Sequence, residues 1–187
     1  RRFILCWSYA EVSTNKKADK LMDFEQFKVT GENVKLATFK TEFDHGESGS
    51  GLKKLREKLW DEVAELQEKL YAENKQSLLI VLQAMDAAGK DSTIAKLTRK
   101  LNAQGCKIHS FKKPSKLELS HDFLWRVHAA APATGEIAIF NRSHYEDVLV
   151  VKVHGWASDE KIKHRYQHIN NFESLLTDRG TKVIKFM

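Results

Sequence analysis

Cysteine and proline are nearly missing from this chain, with two of each among 187 residues. Cys6 and Cys106 lie far apart and match no metal-ligand or redox spacing. That excludes a disulfide framework and points to a reducing cytoplasm. No apolar run reaches the eighteen or so residues of a membrane-spanning helix, so no membrane association is expected. The opening "RRFILCWSYA" sets paired arginines before an apolar patch, as export signals do, but the patch stops at Glu11, short for a signal core. An irregular extension is expected over residues 1–20. Neither an internal repeat nor a low-complexity tract is present, and basic residues do not interleave with exposed-type aromatics, so no nucleic-acid partner is expected.

What is present is a soluble-protein composition, 42% apolar and 30% charged, with a formal charge of +6 that favours anionic partners. The length suits one domain, over residues 21–187. Residues 21–45 mix short apolar groups with charges and read as an arm packed on that domain. "HGESGSG" (45–51) is the most linker-like stretch and reads as a hinge before a helix. Leu52, Leu55, Leu59, Val63, Leu66 and Leu70 then follow one another at steps of three and four, a single helical stripe for packing on the domain or a partner subunit.

Beyond it, strands and helices alternate. Strands are predicted at Leu78–Leu82, Lys107–Phe111, Ile137–Phe140 and Thr181–Phe186. Helices are predicted at Asp91–Ala103, at Leu117–Ala131 ahead of Pro132, and at Asp159–Arg179 ahead of Gly180. Val148–Val153 fits strand or helix. Short apolar strands between helices imply an α/β fold of three layers, α/β/α, around a mainly parallel sheet. In such sheets ligands gather at the carboxyl ends of the strands.

"LLIVLQAMDAAGKDST" (78–93) runs from a strand through a small-residue loop into a helix. It approximates G-x-x-x-x-G-K-[ST], whose backbone N–H groups and lysine grip phosphate at a helix N-terminus. The backbone of Ala87, Ala88 and Gly89, with Lys90, would make the cradle, and Ser92 is a nearby hydroxyl. Ala84 stands at the first glycine's position, a strain of about 1–2 kcal/mol if that position needs positive φ. Asp86 lies among the expected phosphates, where a carboxylate is tolerated beside a cation such as Mg²⁺. Asp91 suits the helix's first turn. Two further strand ends supply cations to the same rim: Lys112 and Lys113 in "SFKKPS", and Arg142, beside Asn141, in "IFNRSHYED". Several donors converging in this way suit a polyanion. His164 and His168 share a helix face but lack the glutamate of a hydrolytic zinc helix, and read as a solvated pair.

"LLIVLQAMDAAGKDSTI", "SFKKPSKLELSHDFLWR" and "GEIAIFNRSHYEDVLVVKVH" resemble three signature blocks of the polyphosphate kinase 2 family. The resemblance extends over about 19–187. It implies a P-loop kinase fold and Mg²⁺-dependent, in-line transfer of a phosphoryl group between inorganic polyphosphate and AMP, ADP or ATP. It gives loop roles to Asp86, Gly89 and Lys90, with Asp86 serving the metal, a contact with the transferring phosphates to Arg142, and a place in the polyphosphate channel to Lys112. Lys113 has no firm counterpart, since a small residue is usual there, and Arg126 is a weaker match for which helix packing is an equal reading. Asn141 stands where other branches carry Asp. The resemblance also implies a homo-oligomer, dimer or tetramer, and a helical lid beyond Met187. The alternative for the chain as it stands is a catalytically impaired binder of nucleotide or polyphosphate lacking the lid.

Overall fold

Strand β2 (Ser77–Leu82) is buried along nearly its whole length, because both faces of the sheet are covered. The computed structural model describes residues 6–8, 29, 49–84 and 87–186. β2 pairs in parallel with β4 (Ile137–Asn141) on one side and β5 (Thr181–Phe186) on the other, and β3 (Cys106–Ser110) pairs in parallel with β4. A short β1 (Cys6–Ser8) lies antiparallel to β5, giving the order β1-β5-β2-β4-β3. Three residues of the segment expected to be irregular therefore join the sheet.

Side chains alternate along each strand, so each face has its own core. On one face Leu79, Val81, Ala138 and Phe140 pack against α4 (Trp125–Ala130), α5 (Glu146–Val153) and α6 (Asp159–Asp178). On the other, Ile80, Leu82, Ile137 and Ile139 meet Ile94 and Leu97 of α2 (Lys90–Leu97) and Leu70 of α1 (Gly49–Glu73). The three-layer expectation matches this arrangement.

The four parallel strands start and stop within a residue or two of their predicted ends. The helices differ more. The expected helix over 117–131 is two pieces, α3 (Lys116–Leu119) and α4. Ser120 Oγ donates back to the Leu117 carbonyl, and Asp122 Oδ1 accepts the Leu124 N–H, so short polar side chains take backbone partners that a continuous helix needs. The helix expected to run to Ala103 ends at Leu97 and gives way to 3₁₀ turns at Thr98–Lys100 and Ala103–Gly105. Asn102 caps the second turn by accepting from the Gln104 N–H. The ambiguous run at 148–153 is helical. Gly49–Gly51, read as the end of a linker, opens α1, while the arm at 21–45, Val29 apart, falls outside the described residues.

The α1 stripe packs on the domain through Leu70, while Leu66 stays 62% exposed. Beside the stripe, buried Gln67 donates Nε2 to the Asn102 carbonyl and accepts the Asn102 N–H, at 3.1 and 2.9 Å. A polar residue, not the leucine stripe alone, fixes where α1 lies.

Candidate active site

Because β2, β3 and β4 are parallel, their carboxyl ends open on one rim. There a cleft of about 540 Å³ is lined by Ala87, Gly89, Lys90, Asp91 and Ser92 from the first strand–helix loop. Ser110, Phe111, Lys112 and Lys113 line it from the end of β3, and Asn141 and Arg142 from the end of β4. Sequence-predicted cations from three separate stretches thus share one cavity. Ala88 belongs to the loop without lining the cleft, and Asp86 lies outside the described residues.

Gly89 caps α2 at φ 89°, a left-handed conformation that glycine adopts without steric cost. Positive φ also falls on Ala87 (63°) and Arg142 (62°), and not on Ala84. The strain anticipated at Ala84 therefore sits three residues later. Of the three non-glycine residues with positive φ among the described residues, Ala87 and Arg142 line this cleft, and Asn74, just past the end of α1, does not.

Lys90 Nζ donates to the Ala84 carbonyl at 2.8 Å, folding the lysine over its own loop. The Ser92 and Thr93 hydroxyls each donate to the Gly89 carbonyl at 2.9 Å, and the Thr93 N–H does so at 3.0 Å, which locks the first turn of α2. Asp91 occupies that turn, as expected, and also accepts from Asn141 Nδ2 at 2.6 Å, tying the α2 start to the β4 end.

Arg126 sits one step back. Its guanidinium donates to the Lys112 carbonyl at 2.9 Å, reaches Asp147 Oδ2 at 3.4 Å and stacks over the Phe111 ring, leaving its side chain 10% exposed. It lines a smaller adjoining cleft of about 250 Å³ with His109, Lys112, Lys113 and Glu118. Burial pushes the Asp147 carboxyl up, against the pull of Arg126 and Arg165.

The loop carrying Arg142 is anchored from below. Buried Ser143 donates to Gln83 Oε1 at 3.0 Å and accepts the Tyr145 N–H, and Gln83 Nε2 donates to Glu146 Oε1 at 2.7 Å. Glu173 of α6 accepts the Tyr145 hydroxyl (2.9 Å) on Oε1 and the Lys185 ammonium (2.6 Å) on Oε2. His144 Nε2 lies 3.3 Å from the same Oε1, while its fully buried Nδ1 has no partner among the described residues. Burial alone would raise the Glu173 carboxyl, but the contacts from His144 and Lys185 outweigh it and hold Glu173 below its ordinary value. Burial and the Glu173 charge push the Tyr145 phenol up, so it stays a donor. Glu173 falls in none of the blocks singled out in the sequence, and the contacts that Gln83, Glu173 and Lys185 make in this network were invisible there. His164 and His168 are exposed, and no group of three potential metal-ligating side chains occurs among the described residues.

A family model described as "Polyphosphate kinase 2 (PPK2)" matches residues 48–187. An AMP/ADP-polyphosphate phosphotransferase from Meiothermus ruber is 51% identical over 121 residues, covering 65% of this chain and 45% of that protein. An ADP-polyphosphate phosphotransferase from Rhodopseudomonas palustris is 41% identical over 176 residues, covering 87% of this chain and 61% of that protein. The crystal structure of polyphosphate kinase 2 from Arthrobacter aurescens TC1 superposes with a TM-score of 0.79 at 38% identity, over 94% of this chain and 62% of that one. The chain therefore spans about half to three-fifths of the length of these relatives.

Proposed function

The chain belongs to the polyphosphate kinase 2 family, and we propose on that premise that it moves a phosphoryl group between inorganic polyphosphate and AMP or ADP. The observation that carries the reading is the single cleft in which Lys90, Lys112, Lys113 and Arg142 meet at the ends of three parallel strands. Four cations around one cavity suit a chain of phosphates better than a lone phosphate group.

In the forward direction an oxygen of the nucleotide's last phosphate attacks the terminal phosphorus of polyphosphate. The bond to the next phosphate breaks, and a chain shorter by one unit leaves. The attacking oxygen is already anionic, so the protein's task is positioning and charge neutralisation rather than general-base chemistry. Lys90 exchanges the Ala84 carbonyl for phosphate oxygens, and the N–H groups of the Ala87–Gly89 loop point at the same charge. Arg142 spans donor and acceptor phosphates, and Lys112 and Lys113 hold the polyphosphate chain. Arg126 supports Lys112 by donating to the Lys112 backbone carbonyl, and from the adjoining cleft it adds charge beside the polyphosphate path. Asn141 and Asp91 hold the two sides of the cleft in register, and Ser92 closes the helix turn.

Mg²⁺ accompanying the phosphates would neutralise further charge. The ion would be held mainly by the phosphates themselves, with Asp86 as its protein ligand. A cytoplasmic setting, where nucleotides are abundant, and a homo-oligomer of two or four copies complete the proposal. No described helix is long and apolar enough to cross a membrane.

The test is ATP formation from ADP, and ADP formation from AMP, with long-chain polyphosphate and Mg²⁺. Lys90→Ala is expected to lower turnover by about 10²- to 10³-fold with an unchanged circular dichroism spectrum. Nucleotide binding without turnover in either assay would leave a binding protein instead, and full activity in Lys90→Ala would remove the loop from the mechanism.

A further inference from the structure

We propose that Glu173, some thirty residues from the loop in sequence, is a positioning residue that sets Arg142 in the cleft by holding His144 and Tyr145. The inference deepens the phosphotransfer reading and rests on it. Arg142 lines the cleft at φ 62°, a conformation that a non-glycine residue keeps only where its surroundings impose it. On its N-terminal side the imposing contact is in view: the Arg142 N–H donates to the Leu82 carbonyl at 3.1 Å, which fixes it to the end of β2. On the C-terminal side the next three residues are all buried, and two of them, His144 and Tyr145, converge on one carboxylate oxygen of Glu173.

The other Glu173 oxygen holds Lys185, which stands opposite Val81 in the β2–β5 pairing and also donates to the Tyr145 hydroxyl at 3.1 Å. One side chain from α6 therefore links the Arg142 loop to β5. The Gln83 N–H, at the start of the phosphate-loop segment, donates to the Phe186 carbonyl one residue further along β5. The two walls of the cleft are thus referenced to a single strand end. Glu173 itself does not line the cleft, so its influence on the phosphates runs through the loop.

A role confined to stability and a role in positioning Arg142 give different results with Glu173→Gln, which keeps the shape and removes the charge. Amide hydrogen exchange in the full chain is the first readout. Positioning predicts that the Arg142 and Tyr145 amides exchange about tenfold faster while those of Ile139 and Ile169 are unchanged. Equal acceleration at all four, or none at Arg142, overturns the proposal.

Steady-state kinetics is the second readout. Glu173→Gln should lower kcat by about tenfold to a hundredfold, with KM for ADP within about twofold, as for a displaced catalytic group. It should cost nothing further in an Arg142→Ala background, because the residue it positions is gone. The same fold-loss in both backgrounds overturns the proposal. If the unmodified chain forms no ATP or ADP from polyphosphate, the phosphotransfer reading fails, and the exchange pattern alone decides whether Glu173 holds Arg142.

Discussion

At the level of single residues, the cleft is defined as much by backbone conformation as by charge. Ala87 accepts a left-handed conformation beside Gly89, which costs an alanine about 1–2 kcal/mol relative to its preferred regions. Ala87→Gly removes that cost but gives the unfolded chain more freedom, about 0.4–1 kcal/mol in the opposite direction. The net expectation is a stabilisation of about 0.5–1 kcal/mol, seen as a higher urea midpoint at unchanged slope. A lower midpoint would show that the Ala87 methyl makes contacts worth more than the strain. The loop lysine and the strand-end cations were legible in sequence because each follows an apolar run at a fixed spacing. Asn141 was legible by resemblance alone, and its bond to Asp91, fifty residues earlier, was not. Such a bond depends on how β4 and α2 sit in space, for which one sequence has no signal.

Between elements, the decisive contact is a polar one. Gly105 has an ordinary negative φ, yet a Cβ there would lie 2.6 Å from Gln67 Nε2 and 3.0 Å from Tyr71 Cδ2. Gln67 cannot swing aside freely, since both ends of its amide bond the Asn102 backbone. Gly105→Ala is therefore expected to destabilise the protein by about 1–3 kcal/mol through crowding. At about 2–4 °C per kcal/mol for a chain of this size, calorimetry should show a clear fall in Tm. An unchanged Tm would mean that α1 shifts outward without penalty. The strands were readable because burial on both faces makes them nearly continuous apolar runs. The helix breaks after Leu97 and Leu119 were not, because they arise from side chains such as Thr98, Ser120 and Asp122 competing for backbone groups, which residue periodicity does not register.

For the whole molecule, the buried charges make stability depend on pH in a definite direction. The folded state holds Glu173 below its ordinary value of 4.5, so it binds that proton less tightly than the unfolded chain does. The stability this contributes is complete above that value and is lost as pH falls through the depressed folded one. Glu136, held down first by its hydrogen bond from Lys107, adds an effect of the same sign. Asp147, pushed up by burial, acts oppositely and regains some stability on acidification. Melting between about pH 7 and pH 3 should show Tm falling most steeply at the acid end, and less steeply in Glu173→Gln. Parallel curves for the two proteins would remove Glu173 as the source.

One margin of the sheet has its own consequence. Among the described residues no strand pairs with the outer side of β3, where Ile108 is 48% exposed. A strand edge without a described partner, beside an exposed isoleucine, is a template on which a second molecule can extend the ladder. Lys107, half in solvent and tethered to Glu136 at 2.6 Å, places a charge beside that edge. Replacing Lys107 with an apolar residue is therefore expected to show in colloidal behaviour, as turbidity at raised concentration.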